Sequence, residues 1–306
     1  PGTLVQKTGI MNSKPLVWLR LLRPSHWIKN LFVLAGVFFS GNWRQPGMLM
    51  LAFEAFLAFC LASSAVYSLN DTWDCEVDKN HPRKRLRPIA AGLLSRNTGY
   101  LTSGVLILFA MVLGLRASGL LALALAAYIV VNILYSLNLK NRVLLDVFCI
   151  AFGFIIRLLA GTWGLGIAPS QWFLLCTLSL SLFLGFSKRY AELIDKERPL
   201  EEKRRVLQNY TPEFLRLLLS VTLSASLITY ALYTTSSRTA EVHHTAGLIY
   251  TLPLVLWGLF RYLYRVMHGG FGENTVADVL RDRQMLLVSL LYLIATGSLL
   301  FFGGSG

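Results

Sequence analysis

The sequence predicts an all-α, polytopic membrane protein of about nine transmembrane helices, and three observations carry that fold class. Hydrophobic residues fill 55% of the 306 positions and charged residues only 15%, with a mean hydropathy of +0.55; a soluble globular protein carries about 25% charged residues. Apolar runs long enough to cross about 30 Å of hydrocarbon recur along the whole chain. Strand-like alternation is absent, and in lipid a helix satisfies its own backbone donors and acceptors.

The expected spans follow in order. The first, 24–41, comes after Lys14, Arg20 and Arg23, and the second, 47–69, runs into the polar stretch that starts at Asn70. The third and fourth, 98–116 and 119–139, are joined by a short connection and end at Lys140. The fifth, 143–163, follows Arg142 and holds Arg157; the sixth, 170–190, ends in Lys188, Arg189 and Tyr190. The last three are 214–235, 246–266 and 284–303. Glu54, toward the outer end of the second span, reads as structural.

Of the 29 Lys and Arg residues, all but Arg44, Arg116, Arg157 and Arg238 fall in segments 1–29, 70–97, 140–142, 188–216 and 261–283. The positive-inside rule makes those segments cytoplasmic. Nine spans then put the N-terminus in the cytoplasm and the C-terminus outside a bacterial inner (plasma) membrane. The net charge of +13 has the same source, and it also suits an anionic substrate. Nucleic acid is a poor partner for basic residues confined to short loops between spans. No cleavable signal peptide is expected, because no small-residue cleavage site follows the first apolar run. Cys60, Cys75, Cys149 and Cys176 are isolated, so neither a zinc site nor a disulfide framework is indicated. No linker divides the chain, and 1–306 reads as one membrane domain with its core at about 15–303.

The most informative stretch is NDTWDCEVDKNHPRKRLRPIAAG, from Asn70 to Gly92. Asp71, Asp74 and Asp78 sit at i, i+3 and i+7, one face of a helix. Three carboxylates so placed repel one another unless a cation sits among them, and hard oxygen ligands suit Mg²⁺, which takes a few carboxylates plus substrate phosphates. Asn70 and Glu76 are further candidate groups. Arg83, Lys84, Arg85 and Arg87 follow at once, and their charge-assisted hydrogen bonds suit phosphate oxygens. The plainer reading is an acidic loop at a helix end.

N-D-x-x-D-x-x-x-D after the second span of such a protein resembles the UbiA superfamily of intramembrane prenyltransferases. With H-P-x-K-R-x-R-P-I-A-x-G attached, it is most similar to the branch that transfers phosphoribose to decaprenyl phosphate in actinobacterial cell-wall synthesis. RPSHWIKN at 23–30, YSLNLKNRVLLDV at 135–147, GFIIRLLAG at 153–161 and SKRYAEL at 187–193 agree with it. The resemblance spans roughly residues 15–300. It implies a UbiA-like bundle with a polar cavity open to the cytoplasm, Mg²⁺ as cofactor, and 5-phosphoribosyl 1-diphosphate and a polyprenyl (decaprenyl) phosphate as substrates. A homo-oligomer is compatible with it. The chain departs from the superfamily at the end of the sixth span, where a second D-x-x-x-D is usual and only Glu192 and Asp195 stand among basic groups.

The remaining candidates each carry two readings. Lys29, at the start of the first span, is a phosphate ligand or a snorkelling anchor, and Trp27 beside it is an interfacial belt residue. Lys140 and Arg142 bind phosphate or only set topology. Asp146 and Arg157 are three helical turns apart and share a face with Gly153 and Gly161. An arginine within a span is costly and faces a cavity or a partner, so Arg157 is a phosphate contact or is locked by Asp146 or by backbone. Lys188, Arg189, Tyr190 and Glu192 are expected to contact substrate, with some of Arg85, Arg87, Lys188 and Arg189 serving the 5-phosphate. His81 shapes the turn with Pro82; His243 and His244 have no assigned role.

The implied reaction transfers 5-phosphoribose to the lipid phosphate and releases diphosphate, with metal and cations stabilising the leaving group. The rival is a UbiA-type aromatic prenyltransferase using a prenyl diphosphate, against which stand the extra cations and the missing second aspartate motif. A transporter would set ionisable residues at mid-membrane in matched repeats, and a scaffold would not need the three aspartates.

Overall fold

The computed structural model describes residues 14–82, 84–195, 199, 203–269, 271–272 and 275–302. Among the described residues every regular element is helical. The helices are α1 Lys14–Leu22, α2 Leu31–Phe38, α3 Met48–Trp73, α4 Cys75–Lys79, α5 Arg96–Ala117, α6 Gly119–Leu137, α7 Leu145–Ala160, α8 Gln171–Ile194, α9 Pro212–Thr235, α10 Ser237–His243, α11 Leu252–Met267, α12 Thr275–Arg281 and α13 Arg283–Phe302. Local chemistry sets several starts. Ser95, Ser170 and Thr211 each accept a hydrogen bond from the backbone N–H three residues on, capping α5, α8 and α9, and Pro212 fills the first turn of α9 where its missing N–H costs nothing.

Eight helical segments among the described residues are long and apolar enough to cross a membrane, against the about nine expected. The expected span at 24–41 is the difference. It is a 3₁₀ helix over Pro24–Asn30 followed by the eight-residue α2, shorter than a bilayer-spanning helix of about 20 residues. Arg23, in the left-handed region at φ 52°, breaks the backbone from α1 just before Pro24.

The chain forms two compact units. The first comprises the described residues of Pro1–Val37, Gln45–Leu137 and Ile156–Ile167. Its core joins Val33, Ala55, Ala58, Phe59, Ala62, Val66, Leu121, Leu125 and Tyr128. Small residues bring the helix backbones together, as in membrane bundles generally. Ser68 and Ser103 donate to the carbonyls of Gly99 and Ala65, at 3.1 and 3.0 Å, tying α3 to α5. A Cβ on Gly161 would collide with the Val33 carbonyl, and one on Gly36 would lie 2.5 Å from the Gly161 carbonyl oxygen. Leu101, Val105, Leu108, Phe109, Val112 and Leu115 of α5 are exposed, an apolar face suited to lipid.

The second unit comprises the described residues of Phe38–Arg44, Asn138–Ile155 and Ala168–Gly306. Its core is built on Val147, Phe183, Phe186, Leu215, Leu219, Tyr262 and Val266, closed by Val206, Leu207 and Tyr210 from the loop between α8 and α9.

Candidate functional site

Within the first unit, residues 22–30 run along α3 as a strap. Asn30 Nδ2 donates to Ser63 Oγ (3.2 Å) and Cys60 Sγ (3.4 Å), and Trp27 Nε1 donates to Ser64 Oγ (3.0 Å). The Ser64 hydroxyl donates in turn to the Leu22 carbonyl at 2.7 Å. His26 meets the Tyr67 ring edge-on at 5.0 Å, and the Arg23 guanidinium lies 5.2 Å from the same ring. Positions 60, 64, 67 and 71 recur every three or four residues, one face of α3. Trp27, read from the sequence as a belt residue, is thus hydrogen-bonded to α3.

The strap ends at the acidic cluster. Arg23 Nη2 donates to both oxygens of Asp71, at 2.7 and 2.8 Å. Arg87 Nη1 lies 3.0 Å from Asp71 Oδ1 and 2.6 Å from Asp78 Oδ2, so one guanidinium bridges both carboxylates. Lys84 Nζ is 4.0 Å from Asp78 Oδ1. Asp71 and Asp78 are each 1% exposed, and buried carboxylates persist only when so paired. The single helix expected to carry the three aspartates is interrupted: α3 ends at Trp73, and Asp74 occupies the break before the short α4. Backbone bonds from the Asp74 N–H to the Asn70 carbonyl (2.9 Å) and from the Asp78 N–H to the Asp74 carbonyl (2.8 Å) carry the helical turn across it, and Asp71 and Asp78 meet at Arg87. Glu76 is exposed and paired with Lys79 at 3.0 Å, whose ammonium holds the Glu76 carboxyl below its usual range. Asn70 lies in the last turn of α3, half-buried; Arg85 is exposed on the 3₁₀ turn Lys84–Leu86. Arg83 lies outside the described residues. His81 Nδ1 accepts from the Lys84 N–H at 3.3 Å and so braces the turn that carries these cations.

Arg157 is buried in the same unit. Its Nε donates to Asn30 Oδ1 (2.8 Å) and its Nη2 to the Tyr128 hydroxyl (3.0 Å), with the guanidinium 4.6 Å from the Tyr128 ring centroid, a cation–π geometry. Asn30 therefore joins Arg157 to α3, at the far end of the strap from Arg23. Lys29, next to Asn30, is exposed.

The second unit holds its own ionic network. Arg189, fully buried, donates from Nε to Asp146 Oδ2 (2.5 Å) and from Nη1 to Glu192 Oε2 (3.1 Å). Tyr210 donates to Asp146 Oδ1 at 2.8 Å, and Arg204 Nε lies 3.6 Å from Glu192 Oε2. Asp146 is thus engaged by Arg189 and Tyr210 in the second unit, and Arg157 by Asn30 and Tyr128 in the first. Tyr190 packs in the core, and Lys140 and Lys188 are half-buried. Arg23, Asn30, Tyr128 and Tyr210 are among the polar residues of these networks that periodicity did not single out. The one local signal was Arg23 and Asn30 bounding the RPSHWIKN stretch.

A divalent metal implied by the aspartate motif can be tested against these donors. Asp71 and Asp78 offer two hard-oxygen carboxylates held around one positive group. Mg²⁺ takes one or two carboxylates and completes its shell with water and substrate phosphate, so this pair fits it. Among the described residues no three His, Cys, Asp or Glu side chains form a ready-made metal cage.

The model of the UbiA prenyltransferase family matches residues 30–277. The chain is 33% identical over 294 residues to a decaprenyl-phosphate phosphoribosyltransferase of Mycolicibacterium smegmatis, covering 93% of this chain and 92% of that one. It is 31% identical over 290 residues to the protein of the same name from Mycobacterium tuberculosis, covering 93% and 94%. A solved UbiA homologue from Archaeoglobus fulgidus, bound to GPP and Mg²⁺, matches with a TM-score of 0.68 at 17% identity, covering 93% of this chain and 99% of that one, a likeness of fold. With eight long apolar helices among its described residues, the chain is a multi-pass membrane protein.

Proposed function

The chain belongs to the UbiA prenyltransferase family, and from that premise we propose that it is a transferase that moves 5-phosphoribose from 5-phosphoribosyl 1-diphosphate to a polyprenyl phosphate such as decaprenyl phosphate. The observation that carries the reading is the likeness, over nearly the full length of both chains, to two phosphoribosyltransferases acting on decaprenyl phosphate.

In this reading a phosphate oxygen of the lipid forms a bond to C1 of the ribose as the C1–O bond to diphosphate breaks. The lipid phosphate is an anion at neutral pH and needs no strong base, only orientation and neutralisation. Asp71 and Asp78, with Asp74 beside them, would hold Mg²⁺, which supplies positive charge to the departing diphosphate. Arg23, Arg87 and Lys84, already gathered at these carboxylates, can exchange partners to phosphate oxygens at little electrostatic cost, because each keeps an anion beside it. Arg83, Arg85 and Asn70 belong to the same segment. Lys29 and Lys140 are proposed for the lipid phosphate, and Arg157, Asp146, Lys188, Arg189, Tyr190 and Glu192 for support of substrate binding. The cation-rich segments face the cytoplasm of a bacterial inner membrane, by the positive-inside rule.

The test is purified protein with labelled 5-phosphoribosyl 1-diphosphate, polyprenyl phosphate and Mg²⁺, followed by analysis of the lipid. A labelled phosphoribosyl lipid that depends on all three components is the expected product. A prenylated aromatic acceptor, with no labelled lipid, would replace this reading by the aromatic prenyltransferase one.

A further inference from the structure

We infer that Tyr210 is a positioning residue for the turn that carries Lys140 and Arg142, because its hydroxyl holds Leu144 in the backbone conformation that ends that turn. Leu144 has φ +67°. A residue with a Cβ seldom adopts the left-handed region, and a bulky one pays for it in steric strain. The Leu144 N–H donates to the Tyr210 hydroxyl oxygen at 2.7 Å. The hydroxyl donates to Asp146 Oδ1 at 2.8 Å, and the other Asp146 oxygen accepts from the buried Arg189. One phenol can do both, since it has one proton to give and lone pairs to receive. Burial pushes the Tyr210 hydroxyl well above its ordinary range, so the proton stays in place.

The consequence is mechanical. Lys140 lies in the 3₁₀ turn Leu139–Asn141, which packs against Arg205–Asn209 just before Tyr210. α7 begins at Leu145, and the Asp146 N–H donates to the Arg142 carbonyl at 3.1 Å. The backbone angle at Leu144 therefore sets how the turn leaves the helix. The Tyr210 ring is anchored separately, in the core with Val206, Leu207 and Leu215 and at 6.3 Å from Phe214. Ring packing and hydroxyl bonding can thus be separated by one substitution. The service of this turn to substrate rests on the proposed function; the hold of the hydroxyl on Leu144 does not.

The experiment uses full-length protein in detergent with Tyr210→Phe, Leu144→Gly and the double variant. Two readouts are taken: the rate of trypsin cleavage after Lys140 and Arg142, and KM for the sugar donor and for polyprenyl phosphate. Tyr210→Phe keeps the ring and removes both hydroxyl bonds. Cleavage should rise by about three- to tenfold, the range one net hydrogen bond sets when local opening limits proteolysis, and KM for at least one substrate should rise with it. Glycine adopts the left-handed region without a Cβ penalty, so Leu144→Gly in the Tyr210→Phe background should bring both readouts back toward wild type. Leu144→Asn, which also tolerates that region, serves if glycine loosens the packing. Unchanged cleavage in Tyr210→Phe overturns the inference. So does a rise that neither Leu144→Gly nor Leu144→Asn repairs, since a general loss of packing would behave that way. Altered cleavage with both KM values unmoved overturns the link to substrate. Wild-type protein without transferase activity would sink the proposed function instead, and the cleavage pattern would still decide the role of Tyr210.

Discussion

Arg23 Nη2 hydrogen-bonds both carboxylate oxygens of Asp71, at 2.7 and 2.8 Å, across 48 positions of sequence. The contact is aimed by backbone: Arg23 sits in the left-handed region at the start of the strap, and strain of that kind gathers at functional sites. Asp71 also meets Arg87 at 3.0 Å, and Arg87 reaches Asp78 at 2.6 Å, so two guanidiniums face two buried carboxylates.

Arg23→Gln is expected to lower turnover by at least about tenfold, and its effect should not add to that of Asp71→Asn. A double-mutant cycle on kcat/KM should give a coupling of about 0.5–3 kcal/mol, the range for residues in direct contact. Simple additivity would show that the two act separately and would remove Arg23 from the site.

Asp71→Asn, Asp74→Asn and Asp78→Asn should each cut activity by at least about tenfold, or about 1.4 kcal/mol of transition-state stabilisation. Excess chelator should abolish turnover and Mg²⁺ should restore it. Full activity in chelator, or three variants near wild type once corrected for folded protein, would defeat the metal assignment.

Arg189→Leu is expected to act on stability before it acts on substrate. It leaves Asp146 and Glu192 buried with the central cation gone, and breaking a buried pair in that way costs about 3–5 kcal/mol. Thermal unfolding in detergent measures it. The residual activity should fall by the same factor with a donor that lacks the 5-phosphate. A loss seen only with the complete donor would make Arg189 a ligand of that phosphate after all.

Gly161→Ala should destabilise the first unit by about 1–3 kcal/mol or more, because the new Cβ meets the rigid Val33 carbonyl and not a side chain that can rotate away. Gly104→Ala, on α5 with open space around it, is the control and should be neutral or slightly stabilising. Equal unfolding midpoints for the two variants would contradict the close packing.

Topology is read by thiol labelling in a cysteine-free background. A membrane-impermeant reagent should reach Asn80→Cys only from the cytoplasmic side and Glu241→Cys only from the other side; both positions are exposed. The opposite pattern would reverse the orientation and the access route of the sugar donor.

The sequence by itself was enough for the class of fold, since the length and polarity of each apolar run decide locally whether a helix can cross hydrocarbon. It was also enough to locate the acid–base segment at 70–87, because Asp71, Asp78, Lys84 and Arg87 are neighbours in the chain as well as in space. Only the tertiary structure decided which charges meet. Helix periodicity placed Asp146 and Arg157 on one face and the three aspartates on another. A buried charge, however, takes the partner that packing delivers, because burial without one costs more than any local preference returns. Packing delivered Arg189 and Tyr210 to Asp146, Asn30 and Tyr128 to Arg157, and Arg23 to Asp71. The left-handed backbones of Arg23 and Leu144 were invisible for the same reason: nothing in either side chain favours φ above zero, and each residue bonds to one distant in the sequence, Asp71 and Tyr210.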